Sequence, residues 1–245
     1  MKKLFKRTID TGIQHGTVTI RMNGCNYETT TFRIDGEYED GRHPKEVSFT
    51  SLLSEDLRRR DFTINAMAYC PGKGIIDLFG GIDDLDKKII RCVGDARERF
   101  GEDALRTLLA VRFAGQLGFV IEEGTYNAIK ELSDNIVKIS AERIRVEITK
   151  LLISKGPDRM FVAKDTCLTR HFMPEWDKMC QEGYGDKIIK SINYINEHIS
   201  EEKRGQREHK ALCFAALLMK SDNARDVMKR LKFDNYSIEM VDRLA

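Results

Sequence analysis

The segment Gly101-Glu-Asp-Ala-Leu-Arg-Thr-Leu-Leu-Ala-Val-Arg-Phe113 divides the chain in two. Within it Leu105, Leu108, Leu109 and Phe113 recur at helical spacing, and Gly115 to Gly118 is expected to end or break the helix. Upstream the period is two. Thr17-Val-Thr-Ile-Arg21 and Tyr27-Glu-Thr-Thr-Thr-Phe-Arg33 are β-branched and alternating, and Asn23-Gly24 between them is a hairpin signal. Phe62 to Tyr69 is apolar enough for either strand or helix. Downstream, a helix is expected over Thr125 to Leu132, then one capped by Ser140 with Ile144, Ile148, Leu151 and Leu152 on one face. Further helices are expected over Lys187–Ile199, Glu208–Met219 and Ala224–Leu231. The fold class is therefore α+β, a strand-rich head followed by an all-α body. Leu244-Ala245 falls inside a helical pattern with no stop signal, so the chain is expected to be cut there.

The 245 residues are 41% hydrophobic and 33% charged, with 4 prolines, which suits a cored, highly charged protein and excludes a disordered one. No apolar run reaches the roughly 18 residues of a membrane span, and Met1-Lys-Lys-Leu-Phe-Lys-Arg lacks the apolar stretch of a signal peptide. Six scattered cysteines form no CxxC pair, so reduced thiols in a cytoplasmic protein are expected. With 41 basic against 39 acidic residues, any polyanion site must come from local clustering.

The densest cluster is Arg58-Arg-Arg-Asp-Phe-Thr-Ile-Asn-Ala66. Adjacent guanidiniums repel unless solvated or facing anions, and their planar fork suits phosphate oxygens. A following carboxylate can accept from sugar hydroxyls, and Asn65 adds a donor and an acceptor. The same residues also read as a solvated turn. In the second cluster, Asp103, Arg106, Leu109 and Arg112 would form one helical row at i+3. An acceptor beside a donor could pair with cytosine and adenine, which both present an amino group next to a ring nitrogen. It also reads as a plain surface ion pair. Asp84-Leu-Asp86 has a metal-binding spacing but lies in a polar turn and reads as a decoy. Glu28, in a strand pattern with uncharged neighbours, is a weak candidate carboxylate. The five histidines show no metal-site spacing, and Trp176 is expected in the core.

Taken together, Thr11-Gly-Ile-Gln-His-Gly-Thr-Val18, Glu28-Thr-Thr-Thr-Phe-Arg33, Arg59-Arg-Asp-Phe-Thr-Ile-Asn-Ala66, Gly80-Gly-Ile-Asp-Asp-Leu85, Ile90-Arg91 and Glu102-Asp-Ala-Leu-Arg106 resemble the CCA-adding tRNA nucleotidyltransferases. The match is to the bacterial-type class shared with bacterial poly(A) polymerases and covers about residues 5 to 155. The resemblance implies a partial polymerase-β-like nucleotidyltransferase head over residues 1–92, a nucleotide-recognising helical neck over 93–155 and a helical body over 156–245. It implies that Arg60 contacts the incoming triphosphate and Asp61 its ribose, with Asn65 alongside. Asp103 and Arg106 would be the protein template for CTP and ATP, and Arg112 a further nucleotide contact. Leu109 stands where the family usually carries arginine. Asp77 to Arg91 resembles the hinge segment, and Glu142-Arg143 with Glu147 the element that steadies the neck. Arg33 to Pro44, including Asp40 and Arg42, resembles the flexible loop of enzymes that add the terminal A.

The implied partners are tRNA, ATP and CTP, with no membrane, and the implied cofactor is Mg²⁺. The family's catalytic DxD strand would precede Thr11 and its tail domain would follow Ala245, so the chain as given is expected to be inactive alone. The alternatives are a bacterial poly(A) polymerase, a non-catalytic nucleotide- or RNA-binding module, and, remotely, a hydrolase built on Asp83, Asp84 and Asp86.

Overall fold

The computed structural model describes residues 1–13, 16–36 and 47–245. In the head, β1 (Thr8–Gly12), β2 (Thr17–Met22) and β3 (Cys25–Thr30) form an antiparallel meander. The β2–β3 turn is Asn23-Gly24, at φ 52° and 79°, the paired left-handed geometry that matches strand twist. It sets the register Met22↔Cys25, which places Thr19 opposite Glu28. β4 (Arg33–Asp35) pairs with β5 (Val47–Phe49), followed by α1 (Leu53–Arg58). The undecided apolar segment splits into a 3₁₀ turn, Thr63–Asn65, and the first strand of a hairpin, β6 (Met67–Cys70) with β7 (Gly74–Asp77).

Asp77 then accepts from the backbone N–H groups of Phe79, Gly81 and Ile82 and so starts α2 (Gly81–Asp86). Burial pushes the Asp77 carboxyl up, but these amides outweigh it and hold it below its ordinary value. The Gly80-Gly81 pair has two separate causes. Gly80 sits at φ 77°, and a Cβ on Gly81 would lie 2.4 Å from the Thr63 carbonyl oxygen.

A short parallel pair joins head to neck, β8 (Ile89–Ile90) with β9 (Val120–Ile121). Between them lie α3 (Ala96–Glu102), capped by Asp95, and α4 (Leu105–Leu117). Gly115 does not end α4. It lies inside the helix, where a Cβ would stand 2.5 Å from Leu151 Cδ1 and 2.6 Å from the Gly156 carbonyl oxygen; Gly118, at φ 68°, makes the stop. Then come α5 (Glu123–Glu131) and α6 (Ala141–Leu152), the latter packed along α4. The body adds α7 (Met160–Asp165), α8 (Thr169–Phe172), α9 (Pro174–Gln181), α10 (Gly185–His198), α11 (Arg207–Leu218), α12 (Ala224–Arg230) and α13 (Asn235–Leu244).

One apolar core runs from Phe62 through the neck to Val241, with Trp176 fully buried and its indole N–H donating to the Met160 carbonyl. All six cysteines are free thiols; burial pushes Cys92 and Cys213 up to about 12 and Cys180 up to about 11. Among the described residues, no helix is long and apolar enough to cross a membrane.

Candidate nucleotide site

The arginine run ends α1 and is organised by a carboxylate three and four residues before Arg59 and Arg60. Asp56, 2% exposed, accepts from Arg59 Nε at 3.1 Å and Nη2 at 2.8 Å, and from the Arg33 backbone N–H. Arg60 Nη2 stands 3.5 Å away. Burial would raise the Asp56 carboxyl, yet these bonds and charges hold it below its ordinary value. Arg60 is nonetheless exposed, donating only a long 3.4 Å bond to the Asn65 carbonyl, so its guanidinium faces solvent.

The next residue turns inward. Asp61 Oδ1 accepts from the Phe62 N–H at 2.8 Å and from Asn65 Nδ2 at 3.1 Å, so Asn65 orients Asp61. Among the described residues Asp61 Oδ2 accepts no hydrogen bond. Phe62 packs edge-on to Phe113, and the Arg112 guanidinium lies 3.7 Å from the Phe113 ring centroid. The Asp61 charge reaches Arg112, which couples the head segment to α4.

Of the helical row expected from Asp103 to Arg112, Arg106, Leu109 and Arg112 lie on α4, and Asp103 stands just before it. Asp103 is extended, at φ −140° and ψ 104°, and lies between α3 and α4. A two-helix break replaces the single row because the Asp103 side chain caps α4, Oδ1 accepting from the Leu105 N–H at 3.0 Å. Nor do Asp103 and Arg106 pair with each other. Asp103 Oδ2 accepts from Arg143 Nη2 at 2.9 Å, across to α6. Arg106 donates to Glu102 Oε2 at 2.5 Å, to the Arg99 carbonyl at 3.1 Å and to the Arg59 carbonyl at 3.1 Å.

Those contacts leave capacity. Arg106 uses three of its five N–H donors, and Asp103 two of about four lone pairs. The bond from Arg106 to the Arg59 carbonyl also fixes where this capacity lies, two residues from Asp61. Arg99 stands outside every motif, although Arg99, Glu102 and Arg106 stand at i+3 and i+4 and form a continuous ion-pair chain.

Arg112 is 8% exposed and pairs with Glu147, which is 6% exposed. Arg112 Nε stands 2.5 Å from Glu147 Oε2, an ionic contact without hydrogen-bond alignment, while Nη1 donates to Gln116 Oε1. Burial lowers the Arg112 pKa from its ordinary value, opposed by Glu147. Leu109 is half-buried against the core.

The remaining carboxylates do not build a metal centre. Asp84, 5% exposed, accepts from Thr63 Oγ1 at 2.7 Å and Arg91 Nε at 3.1 Å, a structural tie between α2 and its surroundings. Glu28 stands exposed on β3. No group of three His, Cys, Asp or Glu among the described residues could hold a metal ion, so the described residues do not fit the Mg²⁺ that the motifs imply. Asp40 and Arg42 lie outside the described residues, and Arg33 lies in β4.

A strand-rich head joined to a helical neck and body, with a polar cluster at the join, defines the polymerase type of nucleotidyltransferase. Residues 1–91 match the family model described as the poly A polymerase head domain, and residues 118–180 match the probable RNA and SrmB-binding site of polymerase A. The CCA-adding enzyme of Limosilactobacillus reuteri is 54% identical over 157 residues, 64% of this chain and 39% of that protein. That of Lactiplantibacillus plantarum is 55% identical over 157 residues, with the same coverage of 64% and 39%. The crystal structure of the Bacillus stearothermophilus CCA-adding enzyme in complex with CTP matches with TM-score 0.78 at 33% identity, covering 98% of this chain and 56% of that one. The chain belongs to the CCA-adding tRNA nucleotidyltransferase family, in the bacterial-type class shared with poly(A) polymerases. It spans 39% of the length of the curated relatives named here.

Proposed function

We propose that this chain carries the nucleotide-selecting part of an enzyme that adds CTP and ATP to the tRNA 3′ end to build or repair CCA. The observation that carries the reading is the spare hydrogen-bonding capacity of Asp103 and Arg106, held by Arg143, Glu102 and the Arg59 carbonyl beside Asp61. A carboxylate that still accepts, next to a guanidinium that still donates, is what the shared amino–ring nitrogen edge of cytosine and adenine requires. Uracil and guanine would turn a carbonyl toward the carboxylate and lose that bond. Arg60, exposed at the same end, is placed for the triphosphate, and Asp61 Oδ2 for a ribose hydroxyl. Arg112 acts from beneath, its charge fixed by Glu147 and Phe113. The domain division follows as residues 1–92, 93–155 and 156–245, in a cytoplasmic protein.

In the whole enzyme Mg²⁺ would activate the primer hydroxyl and neutralise the leaving pyrophosphate. The test is equilibrium binding of CTP, ATP, UTP and GTP, alongside incorporation of labelled CTP and ATP into tRNA lacking CCA with Mg²⁺ present. Binding of CTP and ATP in preference to UTP and GTP, without incorporation by this chain alone, is expected. Equal binding of all four would overturn the template assignment. Incorporation of ATP alone in long tails would favour the poly(A) polymerase reading instead.

A further inference from the structure

The carbonyl oxygens in the last turn of a helix have no partner within that helix. At the end of α1 those of Arg58 and Arg59 are met by two guanidiniums from the neck. Arg99 Nη1 donates to the Arg58 carbonyl at 3.2 Å, and Arg106 Nη2 donates to the Arg59 carbonyl at 3.1 Å. Glu102 stands between the two, 2.6 Å from Arg99 Nη2 and 2.5 Å from Arg106 Nη1. The Arg99, Glu102 and Arg106 side chains are 13%, 21% and 12% exposed, so solvent and salt screen this chain of charges much less than a surface pair. Cations at a helix C-terminus also complement its dipole. A second carboxylate, Glu98, lies 3.7 Å from Arg99 Nη2 but is 73% exposed. Arg99 Nε is buried without a hydrogen-bond partner among the described residues. The guanidinium is therefore turned to suit Glu102 and the Arg58 carbonyl, at the cost of one unmet donor.

The residues just beyond are anchored to the neck in another way. The Val93 N–H donates to the Asp61 carbonyl at 3.1 Å, the Thr63 N–H donates to the Arg91 carbonyl at 2.9 Å, and Phe62 bridges to Cys92. Burial sets the Cys92 thiol high, and the charges of Arg106, Asp61 and Arg99 also reach it, so the two anchors converge on one place. Arg60 lies between them. Its side chain has only a 3.4 Å bond to the Asn65 carbonyl and a 3.5 Å ionic contact to Asp56. Contacts that long hold the guanidinium loosely, so the backbone on either side decides where it can reach. Asp61 has its own ladder to residues 91–93, whereas the Arg58–Arg59 side depends on the two neck arginines.

We propose that Arg99 is a positioning residue, which clamps the end of α1 to the neck and thereby aims Arg60 at the triphosphate of the incoming nucleotide. The inference rests on the nucleotide-selecting reading above and adds to it a residue that touches no nucleotide itself. Calorimetric titration with CTP, CMP, UTP and dCTP would compare the wild type, Arg99→Met, Arg99→Lys and Arg97→Met, whose exposed side chain pairs with Glu131 instead. Arg99→Met should weaken CTP about fivefold or more, a part of what one charge-assisted hydrogen bond is worth, and leave CMP within about twofold. The preferences for CTP over UTP and over dCTP should stay, because Asp103, Arg106 and Asp61 keep their own contacts. Arg97→Met should match the wild type. Arg99→Lys keeps the charge without the planar fork and should lower the CTP-to-CMP ratio by a smaller factor, which carries the test should the methionine variant fold poorly. In an Arg60→Ala background, Arg99→Met should lower that ratio no further, since it acts through Arg60. An unchanged ratio in the Arg99 variants, equal losses of CTP and CMP, or a full additional loss in the Arg60→Ala background would overturn the positioning role while leaving the nucleotide site intact. A wild type that binds CTP no better than CMP and UTP would overturn the site itself, and the role of Arg99 with it.

Discussion

Arg143 on α6 donates to Asp103 Oδ2 at 2.9 Å, forty residues away in sequence, and fixes the carboxylate that starts α4. The same carboxylate is therefore a helix cap, a bridge across the neck and the acceptor half of the proposed template. Asp103→Ala should weaken CTP and ATP alike, by about tenfold or more, since a hydrogen bond to a charged group contributes about 1.5 to 3 kcal/mol. Arg143→Ala should reproduce a smaller loss for both nucleotides, acting through the freed carboxylate. Calorimetric titration with each nucleotide checks this, and a loss confined to one of them would refute a shared template.

Asp61 is oriented by Asn65 and keeps Oδ2 open. Asp61→Ala should reduce the preference for CTP over dCTP, whereas Asn65→Ala should reduce it less, because the Phe62 N–H still holds Oδ1. The two affinities measured side by side decide it. An unchanged ratio in Asp61→Ala would remove the residue from ribose recognition.

Leu109 follows Arg106 by three residues on α4 and is half-buried against the core. Leu109→Arg keeps an aliphatic stem for that packing and can carry its charge outward. CTP should bind severalfold more tightly while CMP does not change, since the added cation acts on the outer phosphates. Equal effects on CTP and CMP would place the new charge elsewhere.

Arg112 and Glu147 make the costlier kind of contact, two charges nearly removed from water. Removing one partner strands the other, so Glu147→Leu alone should cost about 3 kcal/mol or more of folding stability. The double variant Arg112→Met/Glu147→Leu should recover most of that loss in urea unfolding while still binding CTP less well. Recovery of both stability and binding would show that Arg112 serves only the fold.

The parts legible in the sequence are those governed by local rules. Asn23-Gly24 set a hairpin because both residues tolerate positive φ, and Ile144, Ile148 and Leu151 announced a buried helix face by period alone. Three other features escaped for one reason, that their causes lie far along the chain. Gly115 reads as a helix breaker until Gly156 and Leu151 are seen pressed against it. The row Asp103 to Arg112 looks helical because spacing does not show that an aspartate prefers to cap the helix rather than continue it. The Arg112–Glu147 and Asp103–Arg143 pairs span 35 and 40 positions. Short helices such as α7 and α8 give too few turns to display a period.

His209 supplies the pH dependence. It is fully buried; Nδ1 accepts from the Gly205 N–H at 2.9 Å and Nε2 donates to Asn196 Oδ1 at 2.8 Å, which requires the neutral ring. Asn196 in turn donates to the Leu152 and Ser154 carbonyls, tying α10 and α11 to the end of α6. Burial, then the charges of Arg204 and Lys210, hold the His209 pKa below its ordinary value. The unfolded chain takes up a proton near pH 6.5 while the folded one does not, so stability is full above that pH and is lost as pH falls toward the folded pKa. The slope from this one group cannot exceed about 1.4 kcal/mol per pH unit. Urea unfolding followed by Trp176 fluorescence at about pH 7.5, 6.5 and 5.5 should show the wild type weakening on acidification. His209→Gln should be less stable at the highest pH and lose much less stability across the same interval. Every other histidine is common to both proteins, so the difference between them isolates His209. Parallel curves would mean that the ring is not held neutral and that its acceptor bond from the Gly205 N–H gives way in acid.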